Sequence, residues 1–257
     1  MSQQPVILSV AVITLNEASN LPRWLAAVAP VADEIVAVDS GSDDATVELL
    51  RAAGARVFTR DWSGYSDQRN FAAEQCQGRW IAFFDADEVP DQRLREALDE
   101  LKQNPQRPQA GFELGRKVFF FGRFLRHGGF FPEYIARVYQ AGRGRWPRRA
   151  VHEYLEVDGP LGRLPGYLEH YSYRTVGEYL RRLERYSAEA AAQMHAEGRT
   201  AGPFTAWAHA AWNFLWRYFL RLGFLDGFEG YLAARLESLY TLSKYARLRE
   251  MNREDQA

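Results

Sequence analysis

Apolar runs alternate with amphipathic segments along the first hundred residues. The strand-like runs, rich in Val, Ile and Phe, cover residues 6–14, 34–39, 56–59 and 80–84. The helix-like segments between and after them cover residues 21–29, 46–53, 66–76 and 91–102. Continuous apolar strands are typical of a sheet covered on both faces, and their alternation with helices indicates right-handed βαβ units. The pattern predicts an α/β fold with a mostly parallel sheet and flanking helices.

The pattern changes after about residue 110. Residues 111–121 and 134–140 have strand character, and Gly128-Gly129 and Pro132 separate them. They are too close together for a helical crossover, so we expect an antiparallel addition to the sheet. From Thr175 onward the spacing is helical. We therefore expect an α/β domain over residues 1–172 and a C-terminal helical extension over residues 173–257.

The cysteine content and the lengths of the apolar runs indicate the cellular compartment of the protein. The 257 residues include a single cysteine, Cys76, so no intrachain disulfide can form, which fits a reducing compartment. No segment contains the roughly 20 apolar residues of a membrane span, and no basic stretch precedes the first apolar run as in a signal peptide. We expect a cytoplasmic protein. Peripheral attachment to the inner face of the plasma membrane is compatible with that location.

Charge is distributed unevenly although the net charge is only −1, which gives no reason to expect nucleic acid as a partner. Residues 1–113 carry 10 basic and 18 acidic side chains, whereas residues 114–149 carry 9 basic and 1 acidic. An acidic half followed by a basic block fits a metal site beside an anion site. The arginines of the block are suited to a phosphorylated acceptor, and a solvated surface explains them equally well.

Polar clusters follow three of the predicted strands. They are Thr14, Asn16 and Glu17; Asp39, Ser40, Gly41, Ser42, Asp43 and Asp44; and Asp85, Asp87 and Glu88. Ligands of open α/β sheets bind beyond the carboxyl ends of the strands, so the three clusters are expected at one edge. Two closely spaced carboxylates suit Mg²⁺ or Mn²⁺, and a strand-end acid such as Asp39 suits a ribose or a base. The competing interpretation is that these acids only cap turns and the helices that follow.

Taken together, the motifs resemble a known family. Val12 to Glu17, Val38 to Asp44 and Asp85 to Glu88 are similar, in order and spacing, to family 2 of the inverting glycosyltransferases, which have the GT-A fold. A narrower branch, the lipopolysaccharide core β-1,4-glucosyltransferase-like proteins, is resembled by Gly128-Gly129, Val151-His152-Glu153, residues 170–174 and residues 223–227. The sequence has neither Gly-x-Gly-x-x-Gly after the first strand nor a phosphate loop, which argues against dinucleotide oxidoreductases and phosphate-loop NTPases.

The resemblance implies a nucleoside-diphosphate sugar donor, a divalent metal (Mg²⁺ or Mn²⁺) and a saccharide or lipid-linked saccharide acceptor. It assigns the nucleotide sugar to Thr14, Asn16, Glu17, Asp39, Ser40, Gly41, Arg69, Asp85 and Ala86. It assigns the metal to Asp87 with Asp85, and Glu153 is the candidate base that activates the acceptor hydroxyl. His152 is a candidate further metal ligand. For His152 and Glu153 an ordinary hydrogen-bonded pair is the alternative, and for His170 a structural role is favoured.

The tryptophan-rich segment near residue 210 has two interpretations. A membrane interface or packing in a core would suit Trp207, Trp212 and Trp216, which Arg217 and Arg221 follow.

Two alternative functions are open for the whole chain. One is a nucleotidyltransferase, although the first loop lacks the glycines and basic residues that such enzymes use. The second is a sugar- or lipid-binding protein without catalysis.

Overall fold

A computed structural model describes residues 5–148, 154–173, 175–202 and 204–255 of the chain. It divides into two compact units. The first comprises Met1–Arg116 and Glu133–His170, and the second comprises Lys117–Pro132 and Tyr171–Ala257. The second segment of the second unit begins at Tyr171, two residues before the expected start of the helical extension at residue 173. The second unit also takes in Lys117–Pro132, which the expected extension does not include.

The elements alternate as the sequence pattern predicts over the first hundred residues. The helices are α1 Leu21–Val28, α2 Thr46–Ala52, α3 Tyr65–Gln75, α4 Gln92–Gln103, α5 Val176–Ala196, α6 Thr205–Leu215 and α7 Gly227–Glu254. The strands are β1 Leu8–Thr14, β2 Glu34–Asp39, β3 Arg56–Thr59, β4 Trp80–Phe83, β5 Glu88–Pro90, β6 Gly111–Phe120, β7 Arg123–Phe124, β8 Glu133–Gln140, β9 Gly144–Arg145, β10 Glu156–Val157 and β11 Leu161–Tyr173.

Within the described residues, the main sheet has the order β3-β2-β1-β4-β8-β6-β11-β5, and β7 pairs with β6. The first four strands are parallel neighbours. β8 then runs antiparallel to β4, and β6 runs antiparallel to β8, as the short spacing between them predicts. The predicted α/β class with flanking helices and C-terminal helices is confirmed, and the sheet is mixed because the strands after β4 add antiparallel pairs.

The parallel strands are buried on both faces, which explains their continuous apolar sequence. Along β1, Leu8, Val10 and Val12 pack in one core cluster with Trp24 of α1. Ala11, on the opposite face of the same strand, belongs to a second cluster. Both faces of this part of the sheet are therefore covered, and the polar clusters lie at the edge where β1, β2 and β4 end.

The second unit is mainly helical. Its helices α5 and α7 contribute to two small clusters, one around Phe120 and Tyr179 and the other around Met194 and Leu248. Helix α6 continues into a π-helical segment, Trp216–Leu220, and a 3₁₀ turn at Gly223–Asp226 then leads into α7. No helix among the described residues is long and apolar enough to cross a membrane.

Candidate functional site

Side chains of the loops after β1 and β2 bind each other's backbone. The Asn16 N–H donates to Ser42 Oγ at 2.8 Å, and Asn16 Oδ1 accepts from the Asp43 N–H at 2.9 Å. The Glu17 N–H donates to Thr46 Oγ1 at 2.7 Å. Asn16 has a left-handed backbone, with φ of 57°, a conformation that Asn tolerates better than most residues. The two loops therefore form one polar edge beside adjacent parallel strands, as expected from the sequence.

Asp39 is at the centre of this edge and is 1% exposed. Its Oδ1 accepts from Thr14 Oγ1 at 2.8 Å and Ser42 Oγ at 2.6 Å, and its Oδ2 accepts from the N–H groups of Gly41 and Ser42 at 3.0 and 2.8 Å. A carboxylate has about four acceptor positions, so these bonds use its capacity. Asp39 thus shapes the loop around Ser40 and Gly41, as the turn-capping interpretation expects. To accept a hydrogen bond from a nucleotide, Asp39 would have to give up one of these four hydrogen bonds.

Asp85, the first acid after β4, is held by two arginines. Arg69 donates to Oδ1 at 2.9 Å and Arg137 donates to Oδ2 at 3.3 Å. Burial alone would raise the pKa of Asp85, but the positive charges of Arg69 and Arg137 outweigh burial and hold that pKa well below its usual range. Asp85 is therefore an anion whose two oxygens are oriented by the protein.

Glu88 anchors the same cluster. Its side chain is fully buried and accepts from Arg137 Nε at 3.2 Å and Arg137 NH2 at 3.3 Å, with Arg116 NH1 at 3.5 Å. Its Oε2 also accepts from the Asp85 backbone N–H at 3.3 Å. Glu88 thus fixes both the loop and the arginine that binds Asp85.

Asp87 has a different partner. Its Oδ2 lies 3.4 Å from Nε2 of His170, and each side chain is 18% exposed. His170 reaches this position because β11 pairs antiparallel with β5, which places His170 opposite Glu88. Burial would lower the pKa of His170, but the charge of Asp87 raises it above its usual value. The structure therefore brings together a carboxylate and an imidazole, both common metal ligands, from distant parts of the chain.

Arg69 reaches Asp85 from helix α3 and is only 8% exposed. Its guanidinium lies 4.6 Å from the ring centroid of Trp146. Asn70 holds that tryptophan in place, since its side chain donates to the Trp146 carbonyl at 2.8 Å and accepts from the Trp146 N–H at 2.9 Å. Arg69 is thus fixed beside Asp85 at the edge where β4 ends, and its contact with a nucleotide stays a prediction.

His152 and Glu153, the candidate further ligand and the candidate base, lie outside the described residues. The described chain stops at Arg148, whose Nε is 2.8 Å from Asp67 Oδ1 of α3, and resumes at Tyr154.

The basic block is largely engaged with carboxylates. Arg116 binds Glu133 at 2.6 Å, Arg137 binds Asp85 and Glu88, and Arg123 binds Glu229 at 3.1 Å. Arg126 is exposed, with its guanidinium 5.8 Å from the Phe124 ring centroid. These pairs show that part of the block organises the carboxylates of the site rather than forming a uniform surface for an anion.

Asp85, Asp87 and His170 suit a divalent cation that takes its remaining ligands from the substrate of the enzyme and from water. No group of three or more His, Cys, Asp or Glu side chains is arranged to hold a metal ion among the described residues. Mg²⁺ characteristically uses one or two protein carboxylates and completes its shell with substrate phosphates and water. Asp87, with Asp85 nearby, matches that smaller donor set, and the imidazole of His170 lies next to Asp87 as a further donor.

The family model described as Glycosyl transferase family 2 matches residues 9–142, which include β2, β4, all of β1 except Leu8, and the polar clusters that follow these three strands. The chain belongs to this family. Membership removes the nucleotidyltransferase alternative.

Relatives of this glycosyltransferase extend the match over nearly the whole chain. Lipopolysaccharide core biosynthesis glycosyltransferase LpsC of Rhizobium meliloti (strain 1021) is 30% identical over 253 residues, covering 94% of this chain and 91% of LpsC. The uncharacterized glycosyltransferase RP128 of Rickettsia prowazekii (strain Madrid E) is 26% identical over 260 residues, covering 97% and 89%. The similarity to whole glycosyltransferases therefore includes the C-terminal helices.

Solved structures with a similar chain path include residues 1–349 of S. aureus TarS in complex with UDP-GlcNAc, at 15% identity and a TM-score of 0.48 over 97% of this chain and 92% of that one. Glucosyl-3-phosphoglycerate synthase from Mycobacterium tuberculosis, crystallised with Mn²⁺, UDP and glucosyl-3-phosphoglycerate, is 22% identical, with a TM-score of 0.36 over 46% of this chain and 45% of that one.

Proposed function

We propose that this family 2 glycosyltransferase moves a hexose such as glucose from a nucleoside-diphosphate sugar to a saccharide acceptor, with inversion of the anomeric centre. Lipopolysaccharide core or a related bacterial glycan is the proposed acceptor, which the name of LpsC supports. The observation that carries the proposal is the Asp87–His170 pair next to the arginine-held Asp85, at the edge where β1 and β4 end.

The donor is proposed to bind along this edge. Thr14, Asn16, Glu17, Asp39, Ser40 and Gly41 would surround the base and ribose, with Arg69, Asp85 and Ala86 next to the sugar-diphosphate. The hydrogen bonds that join the two loops support this assignment, since they form a rigid edge before any ligand arrives.

Mg²⁺ or Mn²⁺ is proposed to bind at Asp87, with His170 as its second protein ligand and Asp85 nearby. When bound, the metal supplies the positive charge that stabilises the departing diphosphate. Asp85 is the weaker ligand candidate because Arg69 and Arg137 already bind its two oxygens. His152 stays a candidate from its position in the sequence.

Glu153 is proposed to take the proton of the acceptor hydroxyl as that oxygen forms its bond to the anomeric carbon and the bond to the diphosphate breaks. Partial removal from water would raise the pKa of such a carboxylate and improve it as a base. A lipid-linked acceptor would place the protein in the cytoplasm at the inner face of the plasma membrane.

Donor turnover tests the reaction class. The protein is incubated with a panel of nucleotide sugars and Mn²⁺ or Mg²⁺, and released nucleoside diphosphate and donor binding are measured in the same samples. Release from one donor that stops when the metal is chelated supports transfer and identifies the sugar. Metal-dependent binding without release supports the donor site and directs the search to the acceptor. No binding to any donor would overturn the proposal.

His170→Ala should raise the metal concentration needed for half-maximal turnover by about tenfold or more, because one protein ligand of the metal is lost. His195→Ala is the matched control, since His195 pairs with Asp255 on the surface of α5. If His170 only stabilises Asp87 as an ion-pair partner, the variant would lower the melting temperature and leave the metal dependence unchanged.

A further inference from the structure

Helix α6 leaves most of its apolar surface uncovered. Ala210 is the only buried residue of Thr205–Leu215, although that segment contains two tryptophans, a phenylalanine and a leucine. Of all large apolar side chains in the described part of the chain, the seven most exposed lie between Phe204 and Phe228, and each is more than half exposed. Isolated exposed apolar residues are ordinary, but a contiguous group of this kind marks a contact surface.

The exposed group continues around the turn that joins α6 to α7. We call residues 216–228 the hairpin tip; it comprises the π-helical segment, the 3₁₀ turn and the first residues of α7. Leu220, Leu225 and Phe228 are 59%, 54% and 69% exposed there. Three large apolar side chains thus project at the end of a helical hairpin.

The hairpin tip is held in one conformation. The buried Asp226 accepts from the His127 N–H at 2.7 Å, and its other oxygen lies 3.0 Å from the His127 ring. Gly230 packs so tightly on the turn that a Cβ there would lie 2.0 Å from the carbonyl oxygen of Gly223. The apolar side chains are therefore presented by an ordered turn, which lowers the entropy lost when a partner covers them.

The exposed charge at the tip is mainly positive, since Arg217 is paired with Glu237 and Arg221 faces solvent. No aspartate or glutamate occurs between Gly198 and Leu225, and beyond that stretch Asp226 is buried and Glu229 is paired with Arg123. Arg221 is exposed, with its guanidinium 5.0 Å from the ring centroid of Trp216. Arginine and tryptophan side by side are typical of side chains at the boundary between lipid headgroups and acyl chains.

We propose that the hairpin tip docks into the headgroup region of an anionic phospholipid bilayer. A bilayer offers an apolar layer for Leu220, Leu225 and Phe228 and negative charge for Arg221, whereas a second copy of the chain would bring the same positive charge to the contact. A helix lying at the surface, and not crossing it, buries side chains by about 5–10 Å. The inference extends the membrane contact of the proposed function, but it rests on the hairpin alone.

The test is flotation of the full chain with large unilamellar vesicles, without donor or metal. One set is pure phosphatidylcholine and the other contains phosphatidylglycerol. The tip variant is Leu220→Gln with Leu225→Gln and Phe228→Gln, and the matched control is Leu161→Gln with Leu180→Gln, which are 46% and 42% exposed. Because all five side chains are exposed, the melting temperature of each variant should stay close to that of the wild type.

The wild type and the control should bind anionic vesicles, and the tip variant should bind at least about 100-fold more weakly, since three apolar side chains no longer leave water. Arg221→Gln should weaken binding about fivefold, as expected for one basic residue near an anionic surface. Equal binding by the tip variant, or no flotation of the wild type, would overturn the inference. So would a wild-type dimer that the tip variant abolishes without any lipid binding. Donor turnover in solution is measured separately, and the tip variant should turn over donor at the wild-type rate. Failure of this inference is therefore distinguishable from failure of the proposed function.

Discussion

Asp87→Asn should reduce sugar transfer by about 100-fold or more while leaving the fold intact. Asp85 and Glu88 are bound by arginines, whereas the ion-pair partner of Asp87 is His170, which leaves Asp87 as the carboxylate best suited to a metal. A catalytic metal contributes several kcal/mol of charge stabilisation, and about 1.4 kcal/mol corresponds to a factor of ten in rate. Asparagine keeps the size of the side chain and removes its charge.

The measurement is release of nucleoside diphosphate at saturating donor and increasing metal concentration, with circular dichroism and thermal unfolding of the same samples. Asp99→Asn is the matched control, because Asp99 is 47% exposed on α4 and pairs with the nearby Lys102. An Asp87→Asn protein that turns over donor at the control rate, with unchanged sensitivity to chelation, would remove Asp87 from the metal site.

Glu88→Gln should destabilise the first unit by about 3–5 kcal/mol, because it leaves the buried charge of Arg137 without its main partner. For a domain of this size, such a loss corresponds to a fall of roughly 10 °C in melting temperature. Arg137 is 7% exposed and Glu88 is fully buried, so water cannot replace the lost carboxylate. Calorimetry of the full chain measures the effect.

Glu113→Gln provides the comparison for the Glu88 variant. Glu113 pairs with Arg163 at 3.1 Å, but the two side chains are 31% and 60% exposed, so its loss should cost less than about 1 kcal/mol. Adding Arg137→Met to Glu88→Gln should restore part of the lost stability, since both buried charges are then absent. Equal melting temperatures for Glu88→Gln and Glu113→Gln would contradict the role assigned to Glu88.

The parallel half of the fold is predictable because both faces of its strands are buried. Continuous apolar runs locate β1, β2 and β4, and the polar residues at their ends then have only one edge to occupy. Short-range pattern therefore suffices for the α/β class and for the grouping of Thr14, Asp39 and Asp85 on that edge.

The role of His170 cannot be predicted from the local sequence in the same way. It depends on β11 pairing with β5, a three-residue strand that begins at the last acid of the motif, and such long-range pairing leaves no local periodicity to read. In the sequence Glu88 is only the last residue of a motif, and the positions of Arg116 and Arg137 reveal it as a buried anchor. An acid followed by a short apolar stretch, as in Glu88-Val89-Pro90, is the one local signal that points to it.

The tryptophans of α6 illustrate a different limit. Their spacing predicts a shared helix face, but periodicity does not distinguish a face that packs in the protein core from one that is exposed to solvent or lipid. The structure leaves Trp207 and Trp212 69% and 57% exposed, so core packing does not describe them.

The pairing of β5 with β11 makes the chemistry of the site depend on strand register. Neighbouring side chains of a strand point to opposite faces, so a slip of one residue would remove His170 from its place opposite Glu88 and bring Glu169 or Tyr171 there instead. A carboxylate or a phenol would then replace the imidazole beside Asp87. An insertion or deletion within Leu168–His170 would thus change the side chain next to Asp87, so the number of residues along this strand decides which chemical group stands beside that carboxylate.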